Sequence, residues 1–318
     1  NYSWWQKLNE LEVEIIQAPN PIFKAKAIKT EQEIAGFINI HKQDAIALSE
    51  GLAWIEEQMQ SKVSKESNIT ESDISSKLTE LRSLQPDYFD LSFPAIVGAD
   101  ANSAIIHYHP TPGKDKAVRE NSILLIDSGG HYLGGTTDVT RTIYLGRTPP
   151  LEMKQAYTRV LRGHIALATA RFPAWVNGQM LDMLARQYLW KSGQDYPHST
   201  GHGVGNMLSV HESPPTIGRC NTEPLLPGMV LSNEPGFYLP DGFGIRLENM
   251  QYVIESQYEG FLEFAALTLV PYDPVLISFE ELSPSERTWL SEYHQRYKSE
   301  IYPQLSARAK KWADRILK

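Results

Sequence analysis

One stretch, residues 122–146, constrains the fold more than any other: SILLIDSGGHYLGGTTDVTRTIYLG. It opens with a short apolar run that ends in Asp127, a pattern typical of a buried strand. Four glycines in residues 128–135 favour a tight hairpin, and the threonine- and isoleucine-rich run from Asp138 predicts the returning strand. Two carboxylates are therefore expected on neighbouring strands. A buried Asp is costly unless it is paired, hydrogen-bonded or bound to a metal, and two close like charges favour a cation between them.

Three further candidate ligands follow downstream, each in its own short motif. His202 lies in STGHGVG, Glu234 in SNEPGFY and Glu248 in GIRLENM. Carboxylate oxygens together with one imidazole suit a divalent ion such as Mn²⁺, Co²⁺ or Zn²⁺. Four carboxylates carry enough charge to balance two such ions and can bridge them, which is the requirement of a two-metal hydrolytic site.

The five candidate ligands, in this order and in these motifs, resemble those of the pita-bread metallopeptidases. This group includes methionine aminopeptidase, prolidase, aminopeptidase P and the metal-free creatinase. The phrases NSAIIHYHP, LIDSGGHYLGGTTDVTRT, STGHGVG, NEPGFY and GIRLEN are most similar to the long, cytosolic-type branch of aminopeptidase P. The resemblance covers roughly residues 20–318.

The resemblance implies a fold and a division of the chain. The fold class is α+β: a pita-bread fold with a curved, mainly antiparallel sheet covered by helices, followed by a short helical extension. Residues 1–20 would be a remnant or linker from a missing N-terminal domain, because the chain opens at Asn1 and lacks the domains that precede this point in the family. Residues 21–275 would form the catalytic domain and residues 276–318 the C-terminal extension.

The resemblance also implies the roles of the ligands. Asp127 would be a terminal ligand of one ion, Asp138 and Glu248 would bridge both ions, and His202 and Glu234 would be terminal ligands of the second. The two ions are expected to be Mn²⁺, with Co²⁺ or Zn²⁺ as alternatives. A water or hydroxide between them would be the nucleophile. The expected substrate is a peptide with Xaa-Pro at its amino terminus.

Three further histidines match family positions around the substrate and are predicted to be catalytic and substrate-binding. By resemblance, His107 and His211 contact the peptide near the scissile bond, and His198 helps to form the pocket for the proline ring. An imidazole there can donate to the oxyanion or shuttle protons. The others are interpreted as structural or, at the predicted hairpin tip, solvated: His41, His164 and His294 in helices, and His131 at the tip. His109 has no assigned role.

Two more residues complete the predicted substrate site. Arg246 lies two residues before Glu248, so both side chains share one face of a strand, and the arginine can orient a carboxylate ligand. Tyr238, just after the NEPG turn, is a candidate wall of the pocket or an ordinary core residue. Ser199 stands where relatives often have glycine, and we expect it to tune specificity.

Composition excludes several classes of protein. A formal net charge of −8 over 318 residues argues against a nucleic-acid surface and fits an acidic cytoplasmic protein. No apolar run reaches the roughly 18 residues of a membrane span, and no signal peptide is visible. Cys220 is the single cysteine, so no intrachain disulfide can form, and its polar, loop-like surroundings favour an incidental thiol over a nucleophile.

Hydrophobic periodicity and capping patterns predict the remaining elements. Thr30 and Glu33 form a capping-box pattern at the start of a long helix to Met59. Ser283, Pro284 and Glu286 predict another helix start, with a helix to about Lys298. Further helices are expected over residues 71–84, 150–170, 179–192 and 302–318. Strands are expected at two places within residues 91–110, in residues 228–239 and 243–254, and last at LTLVP, residues 267–271.

Other activities within the group remain open. Prolidase cleaves Xaa-Pro dipeptides with the same ligands, and only the amino-acid sequence of the motifs favours aminopeptidase P. Methionine aminopeptidase fits the opening and closing segments poorly, and a creatinase-type enzyme is disfavoured because all five ligands are present. A non-catalytic binding module with this fold is the alternative from another class. A homodimer contact through the segment after about Phe279 is also possible by resemblance.

Overall fold

The computed structural model of this protein describes residues 2–318 except residues 12, 17, 19 and 61–68. Its α-helices within that part of the chain are α1 (Tyr2–Glu10), α2 (Pro21–Ala27), α3 (Glu31–Gln60), α4 (Glu71–Ser83), α5 (Leu151–Ala168), α6 (Gly178–Trp190), α7 (Pro284–Glu300) and α8 (Ala307–Ile316). The strands are β1 (Tyr88–Leu91), β2 (Ile96–Ala99), β3 (Ile123–Ser128), β4 (Gly130–Tyr132), β5 (Gly135–Thr136), β6 (Val139–Tyr144), β7 (Arg171–Pro173), β8 (Gly201–Gly203), β9 (Glu212–Ile217), β10 (Val230–Asn233), β11 (Gly236–Leu239), β12 (Phe243–Arg246), β13 (Asn249–Glu255) and β14 (Phe261–Ala266).

The predicted helix starts are confirmed. Glu33 accepts from the backbone N–H of Thr30, and the Thr30 hydroxyl accepts from that of Glu33, so α3 begins with a capping box. Ser283 and Glu286 form the same reciprocal pair at the start of α7. The helix predicted over residues 302–318 is divided. A short 3₁₀ helix, Tyr302–Gln304, precedes α8, whose cap is Ser306.

The sheets are antiparallel throughout the described residues. The largest has six strands in the order β7-β14-β13-β10-β8-β9, and a second has the order β2-β3-β6. In the second sheet, Asp127 of β3 lies opposite Thr140 of β6. In the first, Asn233 of β10 lies opposite Asn249 of β13. The residues that flank this pair, Glu234 and Glu248, therefore reach the same edge of the sheet.

The predicted tight hairpin between β3 and β6 is wrong. Residues 130–136 leave that sheet and form β4 and β5, which pair with β1 in a sheet of their own. This segment packs directly on α3. The two backbones are so close that a Cβ on Gly36 of α3 would lie 2.6 Å from the carbonyl oxygen of Gly134. His131 is consequently half-buried, with Nδ1 2.9 Å from the hydroxyl of Thr136, rather than solvated at a tip.

Two strand predictions also fail, for different reasons. Only β2 lies wholly within the segment 91–110. It is followed by a 3₁₀ helix, Asp100–Ala104, and Asp100 turns the chain with φ of 53° while its carboxylate accepts from Ser122 and from the backbone of Ile123. The last strand is β14, not LTLVP. Residues 267–271 form no ladder, and the side chains of Arg141 and Tyr293 donate instead to the carbonyls of Thr268, Val270 and Pro271.

Arg141 is the side chain that holds this segment. It is completely buried, and its guanidinium donates to the carbonyls of Val270, Pro271 and Glu248 and to the side chain of Asn249. The guanidinium also lies 4.5 Å from the ring centre of Tyr272. One side chain of β6 thus replaces the hydrogen bonds that a neighbouring strand would supply.

The C-terminal helices pack on the same core as the sheets. Tyr293, Tyr297 and Trp312 belong to the hydrophobic cluster that also contains Ile126 of β3 and Leu48 of α3. The Tyr293 hydroxyl accepts from Arg141 and from the backbone N–H of Val270. A domain boundary near residue 275 stays a prediction, and the residues on its two sides share one core. Among the described helices, none is long and apolar enough to cross a membrane.

Replacing Arg141 by Met should destabilise the fold strongly. The change leaves several buried carbonyls without donors, at about 1–3 kcal/mol for each unsatisfied group, so the free energy of unfolding should fall by at least about 3 kcal/mol. Urea denaturation followed by circular dichroism measures this. The matched control is Arg147→Met on the exposed surface, which should stay within about 0.5 kcal/mol of wild type. Equal losses in the two variants would contradict the assigned role of Arg141.

Candidate active site

The predicted ligands and histidines surround one cavity of about 440 Å³. The two sheets supply the acidic residues that line it, and the loops before β3 and around β8 form its rim. Its lining includes all five predicted ligands, Asp127, Asp138, His202, Glu234 and Glu248. The three predicted catalytic histidines, His107, His198 and His211, line it as well, together with Arg246 and Ser199. The structure thus brings these predicted residues together around one cavity, whereas Tyr238, also predicted for the substrate site, is not among the residues that line it.

Strand ends position the acids. Asp127 is near the end of β3, and Asp138 directly precedes β6, the strand with which β3 pairs. Glu234 and Glu248 flank the paired ends of β10 and β13. The backbone N–H of Glu248 donates to the carbonyl of Thr140, at 3.1 Å, which ties the two sheets together at the site. The carboxylates approach one another because antiparallel pairing brings these strand ends together.

His202, on β8, lies among the acids. Its Nε2 atom is 3.5 Å from Oδ2 of Asp138 and 3.3 Å from Oε1 of Glu234. Its Nδ1 atom lies 3.0 Å from the carbonyl of Gly203, to which it donates. That hydrogen bond leaves Nε2 available as a ligand. Ligand atoms of Asp138, His202 and Glu248 all lie within 4.8 Å of one another.

Asp127 is held differently from the other acids. Nη2 of Arg246 lies 2.6 Å from its Oδ2 atom, so this carboxylate is paired with a buried guanidinium. Arg246 also donates through Nη1 to the hydroxyl of Tyr238 at 2.8 Å. Arg246 thus holds the carboxylate of Asp127, and Tyr238 is linked to this pair through its hydroxyl group.

Burial opposes charge on the remaining acids. Burial, and then the nearby Asp127 and Glu234 carboxylates, raise the pKa of Asp138 well above its usual value. Burial and the charge of Asp138 do the same to the pKa of Glu248, and burial raises the pKa of Glu234. Without a counter-charge, this set of acids is electrostatically frustrated.

The unpaired atoms in this cluster fit metal ions. Three buried carboxylate oxygens have no hydrogen-bond partner within the described structure: Oδ1 of Asp127, Oδ1 of Asp138 and Oε1 of Glu248. Nε2 of His202 faces carboxylate oxygens rather than a donor. Divalent cations would satisfy all these atoms at once and neutralise the acids. The residues present therefore fit two divalent ions.

The three histidines occupy different places around the acids. His198 is half-buried: its Nδ1 donates to the carbonyl of Ser199, and its Nε2 accepts from the Tyr238 hydroxyl, both at 2.8 Å. Burial and nearby Arg246 lower its pKa to about 3, so the ring is neutral near pH 7. The ring of His211 lies edge-on to that of His202, with 4.1 Å between ring centres, and burial lowers its pKa to about 4. His107 is exposed at the cavity rim.

Sequence reasoning missed two groups at this site. The Thr140 hydroxyl donates to Oε2 of Glu248 at 2.8 Å and accepts from Nε of Arg246 at 3.3 Å. Its position two residues after Asp138 on the same strand face was the available signal. His109 also lines the cavity, two residues from His107. Cys220, by contrast, is exposed and outside the cavity lining, in agreement with an incidental thiol.

The structural histidines behave as predicted. His41 and His164 are buried, and each has a protein partner: the carbonyl of Phe37 for His41, and the Tyr272 hydroxyl for His164. Burial lowers the pKa of His41 and of His294 to about 4, and that of His164 to about 3. These neutral rings serve packing within the core.

Comparison with known proteins agrees with this arrangement. Residues 36–255 match the model of metallopeptidase family M24, and residues 260–315 match that of the C-terminal region of peptidase M24. The chain is 43% identical over 298 residues to Aminopeptidase P2 of Arabidopsis thaliana, covering 91% of this chain and 41% of the relative. The chain spans about half the length of the curated relatives it matches, between 41% and 52% for the first two.

Solved structures show the same likeness. An X-prolyl aminopeptidase from Caenorhabditis elegans, described as a cytosolic enzyme with a di-nuclear active site, superposes with a TM-score of 0.88 at 39% identity, covering 94% of this chain and 49% of that one. A prolidase from Thermococcus sibiricus gives 0.65 at 27% identity, covering 79% and 62%. The expected α+β pita-bread fold and the resemblance to aminopeptidase P are confirmed. The chain belongs to metallopeptidase family M24.

Proposed function

We propose that this chain carries the catalytic site of an Xaa-Pro aminopeptidase, which removes the amino-terminal residue from peptides with proline in second position. The observation that carries the proposal is the cluster of four carboxylates and one imidazole with unpaired ligand atoms in an open cavity. The names of the relatives and of the C. elegans structure support the same activity. Because the chain spans only part of these relatives, the activity of the whole protein is part of the proposal.

The five candidate ligands would divide between two ions. Asp127 would hold one ion, Asp138 and Glu248 both ions, and His202 and Glu234 the second. The close grouping of Asp138, His202 and Glu248 supports this division. Two bound divalent ions supply Lewis acidity and a water of lowered pKa at the scissile carbonyl. Mn²⁺ is the ion we propose, since oxygen-rich ligand sets suit it, with Co²⁺ and Zn²⁺ as alternatives.

The histidines and their partners act on the peptide. We assign His107 and His211 to contacts with the peptide around the scissile bond and to hydrogen bonds with its developing oxyanion. The position of His107 at the rim and of His211 beside His202 supports this assignment. His198, Tyr238 and Arg246 form a hydrogen-bonded row that ends at Asp127. We assign His198 and Tyr238 to the wall of the proline pocket, and Arg246 to the orientation of Asp127.

The chemistry of the substrate explains why a dedicated pocket is needed. The bond before proline is a tertiary amide without an N–H group, so a peptidase that binds that group loses a contact. Shape recognition of the ring must replace the missing hydrogen bond. The apolar side chains of Phe93, Pro94 and Ile106 line the same cavity as the acids and offer such a surface.

The proposal extends to the location and the assembly of the protein. A cytosolic location is supported by the description of the C. elegans enzyme. A homodimer through the C-terminal region remains a proposal. Since Tyr293, Tyr297 and Trp312 pack inside the chain, it would have to use exposed residues such as Phe279.

Turnover of two substrates tests the proposal against prolidase. After removal of metal and addition of Mn²⁺, the chain should release arginine from Arg-Pro-Pro faster than it cleaves an Xaa-Pro dipeptide. Amino-acid release measured by chromatography, with a metal-free sample as the control, gives the answer. Preference for the dipeptide would instead indicate prolidase. Two bound metals without cleavage of either peptide would indicate a binding module or the need for other parts of a longer chain.

Replacing Asp138 by Asn tests the bridging assignment. Metal content, measured by mass spectrometry after dialysis, and turnover should both fall, turnover by at least about 100-fold, because even outer partners of ligands contribute 10- to 100-fold in affinity. The metal-free variant should also be more stable to urea than metal-free wild type, since the amide removes a repelled buried charge. Asp241→Asn, on the exposed β11–β12 turn, is the matched control and should change none of these. Normal metal content in Asp138→Asn would refute the assignment.

A further inference from the structure

A short loop, residues 195–200, carries His198 into the cavity and leads to β8. Within the described part of the chain, residues 195–199 form no hydrogen bond between backbone groups. Such a segment lacks the backbone hydrogen bonds that fix the position of a strand or a helix. Its anchor must come from side chains, and the structure shows which ones.

Arg186, on the inner face of α6, is the main anchor. The side chain is 1% exposed, and its guanidinium donates to two carboxylates and two loop carbonyls: Oδ2 of Asp182 at 2.7 Å, Oδ1 of Asp195 at 2.8 Å, the Tyr196 carbonyl at 2.7 Å and the His198 carbonyl at 2.7 Å. It also stacks on the ring of Tyr196, 3.9 Å from the ring centre. Only a guanidinium presents enough donors in one plane for such a set.

Through this loop, Arg186 is linked to two parts of the candidate site. At its centre, His198 contacts Tyr238, which contacts Arg246 and through it Asp127. At its end, the hydroxyl of Thr200 donates to Asp182, and the carbonyl of Thr200 accepts from the backbone N–H of Glu234 at 2.8 Å. Asp182 and Arg186 therefore support both of these contacts, although neither residue lines the cavity.

We propose that Arg186 is a positioning residue, which holds His198 at the substrate pocket by fixing the backbone of residues 195–200 from helix α6. The proposal rests on the function proposed above for the role of His198, and on the geometry alone for the anchor. Misplacement of a substrate-positioning group by about 1 Å can cost about 100-fold in rate. A wrongly placed loop should therefore lower activity without removing any group that touches the substrate.

The test variant is Arg186→Lys, which keeps the positive charge beside buried Asp182 but has too few donors, in the wrong geometry, for the loop. With Arg-Pro-Pro and Mn²⁺, kcat/KM should fall about 10- to 100-fold while metal content stays at the wild-type value. In a His198→Ala background, the same replacement should cost less than about 3-fold, because Arg186 then has no imidazole to position. An equal cost in both backgrounds would show a general structural role and overturn the proposal.

Arg219→Ala is the matched control. This exposed arginine donates to the same Asp195 carboxylate and the same Tyr196 carbonyl from the solvent side. Water can replace its contacts, so kcat/KM should stay within about 2-fold of wild type. Should Arg186→Lys fail to fold, Asp195→Ala removes an outer contact of the same loop, and its cost should show the same dependence on His198.

A second readout does not depend on activity. In metal-free protein labelled with ¹⁵N-histidine, the side-chain resonances of His198, assigned with His198→Ala, should report one tautomer with protonated Nδ1. In Arg186→Lys they should shift or broaden, and in Arg219→Ala they should not. Unchanged His198 resonances in Arg186→Lys would overturn the proposal even if no peptide were cleaved, whereas a clear shift without any turnover would contradict only the proposed function.

Discussion

The mutual repulsion of buried carboxylates is the constraint on which the rest of the site depends. Asp138, Glu234 and Glu248 are forced together by the paired ends of four strands, and burial raises the pKa of each. The protein relieves little of this strain itself. Arg246 pairs with Asp127, and hydroxyl groups donate to Glu248 and Glu234. The remaining repulsion lowers the stability of the fold, and divalent cations bound at this candidate site would relieve it.

Strand β6 connects this strained site to the parts of the fold that stabilise it. Because side chains alternate along a strand, Thr140 faces the acids while its neighbour Arg141 faces the opposite side. Arg141 binds the backbone carbonyl of Glu248, whereas Thr140 binds the carboxylate of the same residue. Through Arg141 the position of Glu248 is also tied to Tyr293 of the C-terminal region. The extension thus supports a candidate metal ligand, although none of its residues lines the cavity.

Features encoded by a few neighbouring residues could be predicted from the sequence, whereas features set by distant side chains could not. The four acids and one histidine lie in short motifs whose order alone indicated a metal site, and the helix caps of α3 and α7 are encoded within four residues. The strand prediction at residues 267–271 failed because an apolar run of that length says nothing about Arg141, more than 120 residues earlier, which binds its carbonyls. Thr140 was missed for a related reason: a threonine in a strand is ordinary until its partner is known. Tertiary hydrogen bonds of single side chains leave no periodic trace in a sequence.

The same reasoning separates the candidate ligands from the features proposed to select a substrate. The four acids stand at or beside strand ends, where pairing of neighbouring strands leaves them little freedom. His198 stands in residues 195–199, which form no backbone hydrogen bonds, and its place depends on contacts with α6 and with Tyr238. Solved structures similar to this chain include both an X-prolyl aminopeptidase and a prolidase, so the shared fold does not decide between these activities. Under the proposed function, selectivity is expected to come from surroundings such as this loop and the rim at His107, where a substitution outside the candidate ligand set would move a pocket wall without changing the metal-binding residues.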